Sequence, residues 1–231
     1  VIFAPVKGHD VRDPQLLVLP NNGILCRFFE RGSETESIVK SICSENWGIF
    51  YGSPVLFPFP KDETFAAARG NMVIIDDVIY AVCYNRWAVT WLEKSEDFGR
   101  SWEVVSWLDE RLWTNQIECG RINEASLGYY DGKMYVVGRQ QSENGDNRLE
   151  IGVSEDLGVT WTWSFLPIEG HAPSLTPYKD AFILTYRNVK DSNRGKYSFD
   201  TVLLKDGKLA SNPASLFESD NFDVGYGDVL T

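Results

Sequence analysis

The side chains best suited to chemistry flank short apolar segments of this 231-residue chain. They are arginines, carboxylates, an asparagine, a histidine and a tyrosine: Arg12, Asp13, Asn123, Glu124, Arg139, His171, Arg187, Tyr226 and Asp228. Guanidinium groups bind carboxylates through charge-assisted, often bidentate hydrogen bonds. Carboxyl groups can accept or donate protons during a reaction. These residues make a site only if the fold brings them together, so the elements that carry them decide the interpretation.

A turn-like motif occurs three times, at residues 44–51 (SENWGIFY), 95–102 (SEDFGRSW) and 154–161 (SEDLGVTW). The motifs begin 51 and 59 residues apart (95 − 44 and 154 − 95). Their Ser and Asp or Asn side chains can hydrogen-bond to nearby backbone, and their Gly permits a positive φ. The closing aromatic residue is expected to turn back into the core. A unit repeated at this period is typical of a propeller or an array.

Four strand-like segments surround each of the three motifs, and a fourth set surrounds a decayed copy at residues 205–207 (KDG). This pattern predicts four-stranded antiparallel blades of an all-β propeller. The predicted strands are residues 12–20, 24–30, 37–43 and 51–57, then 68–75, 78–84, 88–94 and 101–108, then 125–130, 134–140, 149–153 and 161–166, then 173–178, 181–187, 196–204 and 207–217. Residues 21–23 read as an Asn-Gly hairpin turn. Residues 223–230 look like the opening of a fifth blade. The first strand of a blade lines the central channel of a propeller, so the candidate residues are expected to converge at one end.

Composition excludes several classes of function. The formal charge of −11 argues against nucleic acid and against anionic membranes as partners, because both require a basic patch. No apolar run reaches the length of a membrane span. The four cysteines, Cys26, Cys43, Cys83 and Cys119, lack metal-site spacing and are expected to be free, the first three of them buried. With only two histidines, neither a metal site nor a cofactor is predicted.

The three motifs resemble the Asp-box, or BNR repeat, of the sialidase-like propellers. The resemblance implies a six-bladed fold, of which a single domain over residues 1–231 would supply about four to five blades. An incomplete propeller leaves an open sheet edge, which can pair with other chains. That edge would be covered by self-association, by a missing segment, or by residues 1–5 folding back against it. The chain shows no signal peptide, and the resemblance favours a secreted or surface-associated protein.

Further segments resemble the functional motifs of sialidases. They are residues 12–14 (RDP), 123–139 (NEASLGYYDGKMYVVGR), 171–187 (HAPSLTPYKDAFILTYR) and 225–229 (GYGDV). The resemblance implies that Tyr226 is the nucleophile and Glu124 its base. Arg12, Arg139 and Arg187 would hold the substrate carboxylate, with His171 beside them. Two positions depart from the family: Asp13 replaces an apolar residue, and the loop that normally carries an acid/base Asp has none, so Glu34 would serve in its place.

Two other functions stay open at this point. Asp13-Pro14 beside an arginine also resembles the opening motif of five-bladed furanosidase or glycoside-phosphorylase propellers. Those enzymes use carboxylates from successive inner strands, here Asp13, Glu124 and Asp228. A non-catalytic glycan-binding propeller, such as an adhesin or a phage tail module, is the third interpretation. Its sugar-stacking surface would come from the tryptophans Trp47, Trp87, Trp91, Trp107 and Trp113. A glycan or small sugar is the expected ligand in all three.

Overall fold

The computed structural model describes residues 3–46, 48, 51–57, 64–108, 121–141, 147–189 and 197–221. Within these ranges the regular structure consists of strands alone, and no helix could cross a membrane. The chain divides into two compact units, Val1–Leu108 and Asp109–Thr231. A single domain over the whole chain therefore stays a prediction.

The first unit contains two four-stranded antiparallel sheets. The first sheet comprises β1 (Asp10–Val18), β2 (Ile24–Arg31), β3 (Ser37–Ser44) and β4 (Val55–Leu56). The second comprises β5 (Val73–Ile75), β6 (Val78–Tyr84), β7 (Thr90–Ser95) and β8 (Glu103–Trp107). In both sheets the strands lie side by side in chain order, as the blade pattern predicts.

The second unit is built around one long strand that belongs to two sheets. Its strands are β9 (Arg121–Tyr130), β10 (Lys133–Gln141), β11 (Arg148–Ser154), β12 (Thr162–Tyr178), β13 (Ala181–Asn188), β14 (Tyr197–Lys205), β15 (Lys208–Leu209) and β16 (Ala214–Ser219). The first part of β12 pairs with β11 and completes a third sheet. Its second part pairs with β13 and begins a fourth sheet.

The three repeated motifs, called the Ser-Asp turns although the first has Asn46 in place of Asp, share one hydrogen-bond pattern. In each, the serine hydroxyl accepts the glycine N–H four residues on, at 2.9, 2.8 and 2.8 Å for Ser44, Ser95 and Ser154. In the second and third turns the Asp carboxylate accepts a further backbone N–H at 2.8 Å. These contacts confirm the predicted local geometry, while the identification of the turns with the Asp-box stays a resemblance.

An apolar core joins the two sheets of each unit. In the first unit Leu25, Phe29 and Val39 pack with Ile79 and Trp91. Trp102, which closes the second turn, stacks on Phe57 with ring centroids 4.1 Å apart and confirms the inward-turning aromatic. In the second unit the core between the third and fourth sheets includes Tyr135, Val137, Leu149, Phe182 and Leu184.

Three local predictions differ from the structure. Of residues 68–75 only β5 lies in a ladder, because the carbonyl of Gly70 accepts a bond from the buried Arg27 guanidinium, at 2.9 Å, outside the sheet. The segments 161–166 and 173–178 are joined in the single strand β12, since the intervening residues keep pairing, first with β11 and then with β13. In the turn at residues 21–23 Asn22 alone takes a positive φ.

The described cysteines are free, as predicted. Cys26 and Cys83 are buried, but Cys43 is only half-buried, so its predicted full burial is wrong. The reason is its place next to the first turn, where the cavity beside it admits solvent. Cys119 lies outside the described residues.

A buried polar cluster lies between the two sheets of the first unit. The Glu93 carboxylate accepts the indole N–H of Trp91 at 2.5 Å and the thiol of Cys83 at 3.8 Å. The fully buried guanidinium of Arg27 donates to Gln15 and to the carbonyls of Val82 and Gly70. Burial raises the pKa of Glu93 to about 8, since desolvation disfavours the carboxylate more than the neighbouring donors favour it.

We expect Glu93 to make stability fall as pH rises. The folded protein holds the Glu93 proton up to a pKa of about 8, whereas an unfolded glutamate loses it near about 4.3. The contribution of protonated Glu93 to the free energy of unfolding is therefore complete below the unfolded pKa. It is lost as pH rises from the unfolded pKa to the folded pKa. Relative to Glu93→Gln, the free energy of unfolding of the wild type should fall by up to about 1.4 kcal/mol per pH unit in that window. Urea unfolding at several pH values measures it, and parallel curves for the two proteins would contradict it.

The glycine of the second turn should be intolerant of a side chain. Gly99 has φ +87°, and a Cβ there would lie 2.6 Å from Leu25 Cδ1. Gly132 also has a positive φ, of +74°, but nothing lies within 4 Å of its Cβ position. Gly132→Ala should therefore cost only the backbone strain, about 1 kcal/mol, and Gly99→Ala about 1 to 3 kcal/mol more from overpacking. Chemical denaturation of both variants makes the comparison, and equal losses would refute the clash.

Candidate active site

A β-bulge interrupts three hairpins, β1–β2, β9–β10 and β12–β13. In each, two residues of the first strand face a single residue of its partner. The bulges follow the pairs Arg12↔Phe29, Asn123↔Arg139 and His171↔Arg187. The first bulged residue has a positive φ each time, 47° at Asp13, 49° at Glu124 and 56° at Ala172. Three non-glycine residues in this conformation carry backbone strain, which is concentrated at functional positions in proteins.

The bulges place the predicted residues in equivalent positions. Asp13 and Glu124 occupy the same position in their hairpins, and Ala172 occupies it in the next. The second bulged residues are Pro14, Ala125 and Pro173. Proline within a sheet is confined to edges, first residues and bulges, so the two prolines were a sequence signal for the bulges that the prediction of regular strands missed.

In the second unit, the Glu124 carboxylate lies where two sheets meet. Its Oε2 accepts the backbone N–H of Ala172 at 3.1 Å. The same oxygen lies 3.8 Å from Nη1 of Arg139, which is an ion pair rather than a direct hydrogen bond. The Glu124 side chain remains 13% exposed. The carboxylate is therefore oriented by backbone while one edge of it still reaches solvent.

A second side chain of β9 supports the same bulge. The Ser126 hydroxyl, which is fully buried, accepts the N–H of Leu175 at 3.0 Å. The bulge in β12 removes backbone groups from the ladder, and buried groups of this kind need partners. Glu124 and Ser126 thus tie the third sheet to the fourth at the first bulged residue and two residues beyond the bulge.

The two predicted arginines of this unit differ in exposure. Arg139 is 26% exposed along its side chain, and its buried Nε has no hydrogen-bond partner among the described residues. Arg187 is almost completely buried, at 4% exposure. Arg139 is therefore the more accessible of the two guanidinium groups, and Arg187 contributes a buried positive charge.

His171 is electrically coupled to both arginines. It pairs with Arg187 across the strands, and its Nε2 lies 3.2 Å from Oδ1 of Asn147. Burial, together with the charges of Arg139 and Arg187, lowers the pKa of His171 to about 3. The imidazole is consequently neutral at physiological pH. Glu124, Arg139, His171 and Arg187, four of the predicted site residues, are thus brought together.

The remaining predicted residues are placed differently. Arg12 in the first unit is largely exposed and donates from Nε to Asp10 at 2.7 Å. Asp13 follows it in the first bulge, and Glu34 lies exposed in the loop between β2 and β3. Tyr226 and Asp228 lie outside the described residues. Arg12, Asp13 and Glu34 belong to the first unit.

Two residues of the cluster were missed by sequence reasoning. Asn147 and Ser126 are ordinary polar residues, and neither carries a motif. The one sequence signal was the alternation of side chains along a strand: Ser126 comes two residues after Glu124, and residues at that spacing point to the same face. No group of three or more His, Cys, Asp or Glu residues that could hold a metal ion occurs in the described ranges.

No protein-family model matches the chain, and neither does any curated protein. Several solved structures are similar. A Dyadobacter fermentans protein of unknown function is 19% identical with a TM-score of 0.72, over 94% of this chain and 66% of that one. An α-L-arabinanase from Penicillium chrysogenum, complexed with arabinobiose, is 16% identical with a TM-score of 0.72, over 93% of this chain and 70% of that one. A Hadza microbial sialidase is 15% identical with a TM-score of 0.63, over 93% and 47%.

These likenesses concern the fold. The chain spans about two thirds of the length of the first two proteins and about half of the sialidase. The antiparallel sheets agree with the blades of a propeller, and the likenesses support that arrangement, while the number of blades stays a prediction.

His171 should weaken the fold in acid. Its pKa falls from an ordinary value near about 6.5 in the unfolded chain to about 3 in the folded protein. Stability from the neutral imidazole is therefore complete above the unfolded pKa and is lost as pH falls through this range, by up to about 1.4 kcal/mol per unit. His171→Gln should flatten the acid limb of the unfolding profile, and His9→Gln is the matched control. An acid limb unchanged in His171→Gln would contradict the assigned charge state.

Proposed function

We propose that the protein is a glycoside hydrolase of propeller type that accepts an acidic sugar. The observation that carries the proposal is the cluster in which Glu124, Arg139, His171 and Arg187 meet at two adjacent bulges. The fold is shared with an α-L-arabinanase, an α-L-arabinofuranosidase and a sialidase, which supports action on a glycosidic bond. Fold alone does not choose the substrate, so the choice rests on the charges of the cluster.

The charges favour a substrate with a carboxylate. Arg139 and Arg187 place two positive charges around a neutral histidine, and Glu124 forms an ion pair with Arg139. The Arg139 guanidinium is partly exposed and stands 3.8 Å from Glu124, too far for a direct hydrogen bond. It can therefore turn its donors to a ligand carboxylate, and charge-assisted bonds of this type are the strong ones.

The assigned chemistry is that of a sialidase. The phenol oxygen of Tyr226 would attack the anomeric carbon while Glu124 takes the phenol proton, and the aglycone would leave with a proton from an acid, assigned to Glu34. Water, giving up a proton to Glu34, would then attack the anomeric carbon and cleave the sugar–tyrosine bond, while Glu124 returns the phenol proton to Tyr226. A tyrosine suits an acidic sugar because a carboxylate nucleophile would be repelled by the carboxylate of the substrate. The roles of Tyr226 and Glu34 rest on the family resemblance, and that of Glu124 also on its contacts.

One observation favours a second candidate, a glycosidase that works with carboxylates. Asp13 and Glu124 occupy the same bulge position in their hairpins, both with a positive φ. An acid and a base from inner strands are what the hydrolysis of a neutral furanoside requires. The apolar residue that sialidases carry at position 13 would be unable to play this part.

Hydrolysis assays with two fluorogenic substrates decide between the candidates. The acidic-sugar proposal predicts turnover of an α-sialoside, and a loss of at least about 100-fold in Glu124→Gln and Tyr226→Phe. Arg139→Gln should raise KM more than it lowers kcat. Lys205→Gln is the matched control, because Lys205 is an exposed residue of the same unit that forms an ion pair with the surface aspartate Asp180.

The alternative outcomes are distinct. Turnover of an α-L-arabinofuranoside alone, abolished by Asp13→Asn and Glu124→Gln, would replace the acidic-sugar proposal with the second candidate. A folded wild type that binds a sialoside without turning it over would show a glycan-binding protein. Binding of neither sugar would refute the site.

A further inference from the structure

Asn147 fastens the strand that carries His171. Asn147 immediately precedes β11, and its backbone carbonyl accepts the N–H of Gly170 at 2.8 Å. Its side-chain Oδ1 lies 3.2 Å from Nε2 of the neighbouring His171. Both contacts reach from the third sheet to the second part of β12, so Asn147 holds the backbone and the ring of adjacent residues at once.

The charges around the ring require it to be neutral. His171 is 6% exposed. The charged groups that act on it are the guanidinium of Arg139 on β10 and that of Arg187 on β13, and Glu124 forms an ion pair with Arg139. A proton on the ring would add a third positive charge to two others in a desolvated position. A neutral imidazole carries one N–H, and its partner decides which nitrogen bears it.

We propose that Asn147 is a positioning residue that fixes His171 as the tautomer protonated on Nε2. An amide oxygen can only accept, so the 3.2 Å contact with Oδ1 places the ring proton on Nε2. Nδ1 is then an acceptor in a cluster whose arginines offer only donors. The effect of Asn147 on substrate specificity rests on the proposed function, because it requires the substrate to contact the His171 ring.

The chemical consequence is a limit on positive charge. With Nε2–H donating to a neutral amide, His171 stays uncharged and the two guanidinium groups provide all of the positive charge of the cluster. An aspartate at position 147 has the same shape but offers an anionic acceptor. It would stabilise the imidazolium and turn the ring into a third cationic donor.

NMR of the imidazole nitrogens tests the tautomer without any substrate. The chain has two histidines, so spectra of His9→Gln and His171→Gln assign every ring signal. Long-range ¹⁵N–¹H correlations of the wild type at pH 7 should show His171 protonated on Nε2 alone. Protonation on Nδ1 would overturn the proposal, since Asn147 would then have to present its NH₂ group to the ring.

The Asn147 variants give the second readout. In Asn147→Asp the pKa of His171 should rise by about one to three units, the range for an opposite charge at contact distance. In Asn147→Ala the tautomer should become mixed. An unchanged pKa in the first variant or an unchanged tautomer in the second would show that Asn147 does not set the state of the ring.

Steady-state kinetics of Asn147→Ala tests whether the His171 ring contributes to substrate binding. If the wild type turns over a sialoside, Asn147→Ala should raise KM about three- to tenfold, the value of one hydrogen bond, with kcat nearly unchanged. A larger effect on kcat than on KM would contradict a positioning role. If the wild type has no activity, the NMR experiment still tests the tautomer of His171 independently. Failure of the proposed function and failure of this inference are therefore separate outcomes.

Discussion

The hydrogen bond from the Ala172 N–H to the Glu124 carboxylate is the contact on which the candidate site depends. The bulge in β12 follows His171 and places Ala172 outside the regular pairing with β13. Glu124 accepts the N–H of Ala172, and Ser126 accepts the N–H of Leu175, two residues beyond the bulge. Fold and function therefore compete for the same carboxylate, because the group that holds the bulge is also the group assigned to proton transfer.

The electrostatics of the cluster follow from that arrangement. Two neighbouring hairpins each contribute an arginine at the position opposite the residue before the bulge, Arg139 and Arg187. The first hairpin has Phe29 there instead. The second unit thus brings two guanidinium groups to adjacent bulges within a chain whose formal charge is −11. A local concentration of positive charge attracts an anionic small molecule, whatever the net charge of the protein.

Much of the fold could be predicted from the sequence, and less of the site. The Ser-Asp turns and the alternation of apolar residues gave the sheets in their order, because both signals are local. The bulges could not be inferred from alternation, since a bulge breaks the period of two that defines a strand. Glu124 and Arg139 were identified from a family pattern. Asn147 carries no such pattern, and its role arises only when β11 and β12 are placed side by side.

The affinity of the protein for a carboxylate-bearing sugar tests the central claim most directly, because it needs neither turnover nor Tyr226. Calorimetric titration with free sialic acid and with its methyl ester compares ligands that differ in one charge. The account predicts that the acid binds at least about tenfold more tightly than the ester, and that Arg139→Gln removes this preference while Lys205→Gln keeps it. Equal affinity for the two ligands, or a preference that survives in Arg139→Gln, would contradict the account.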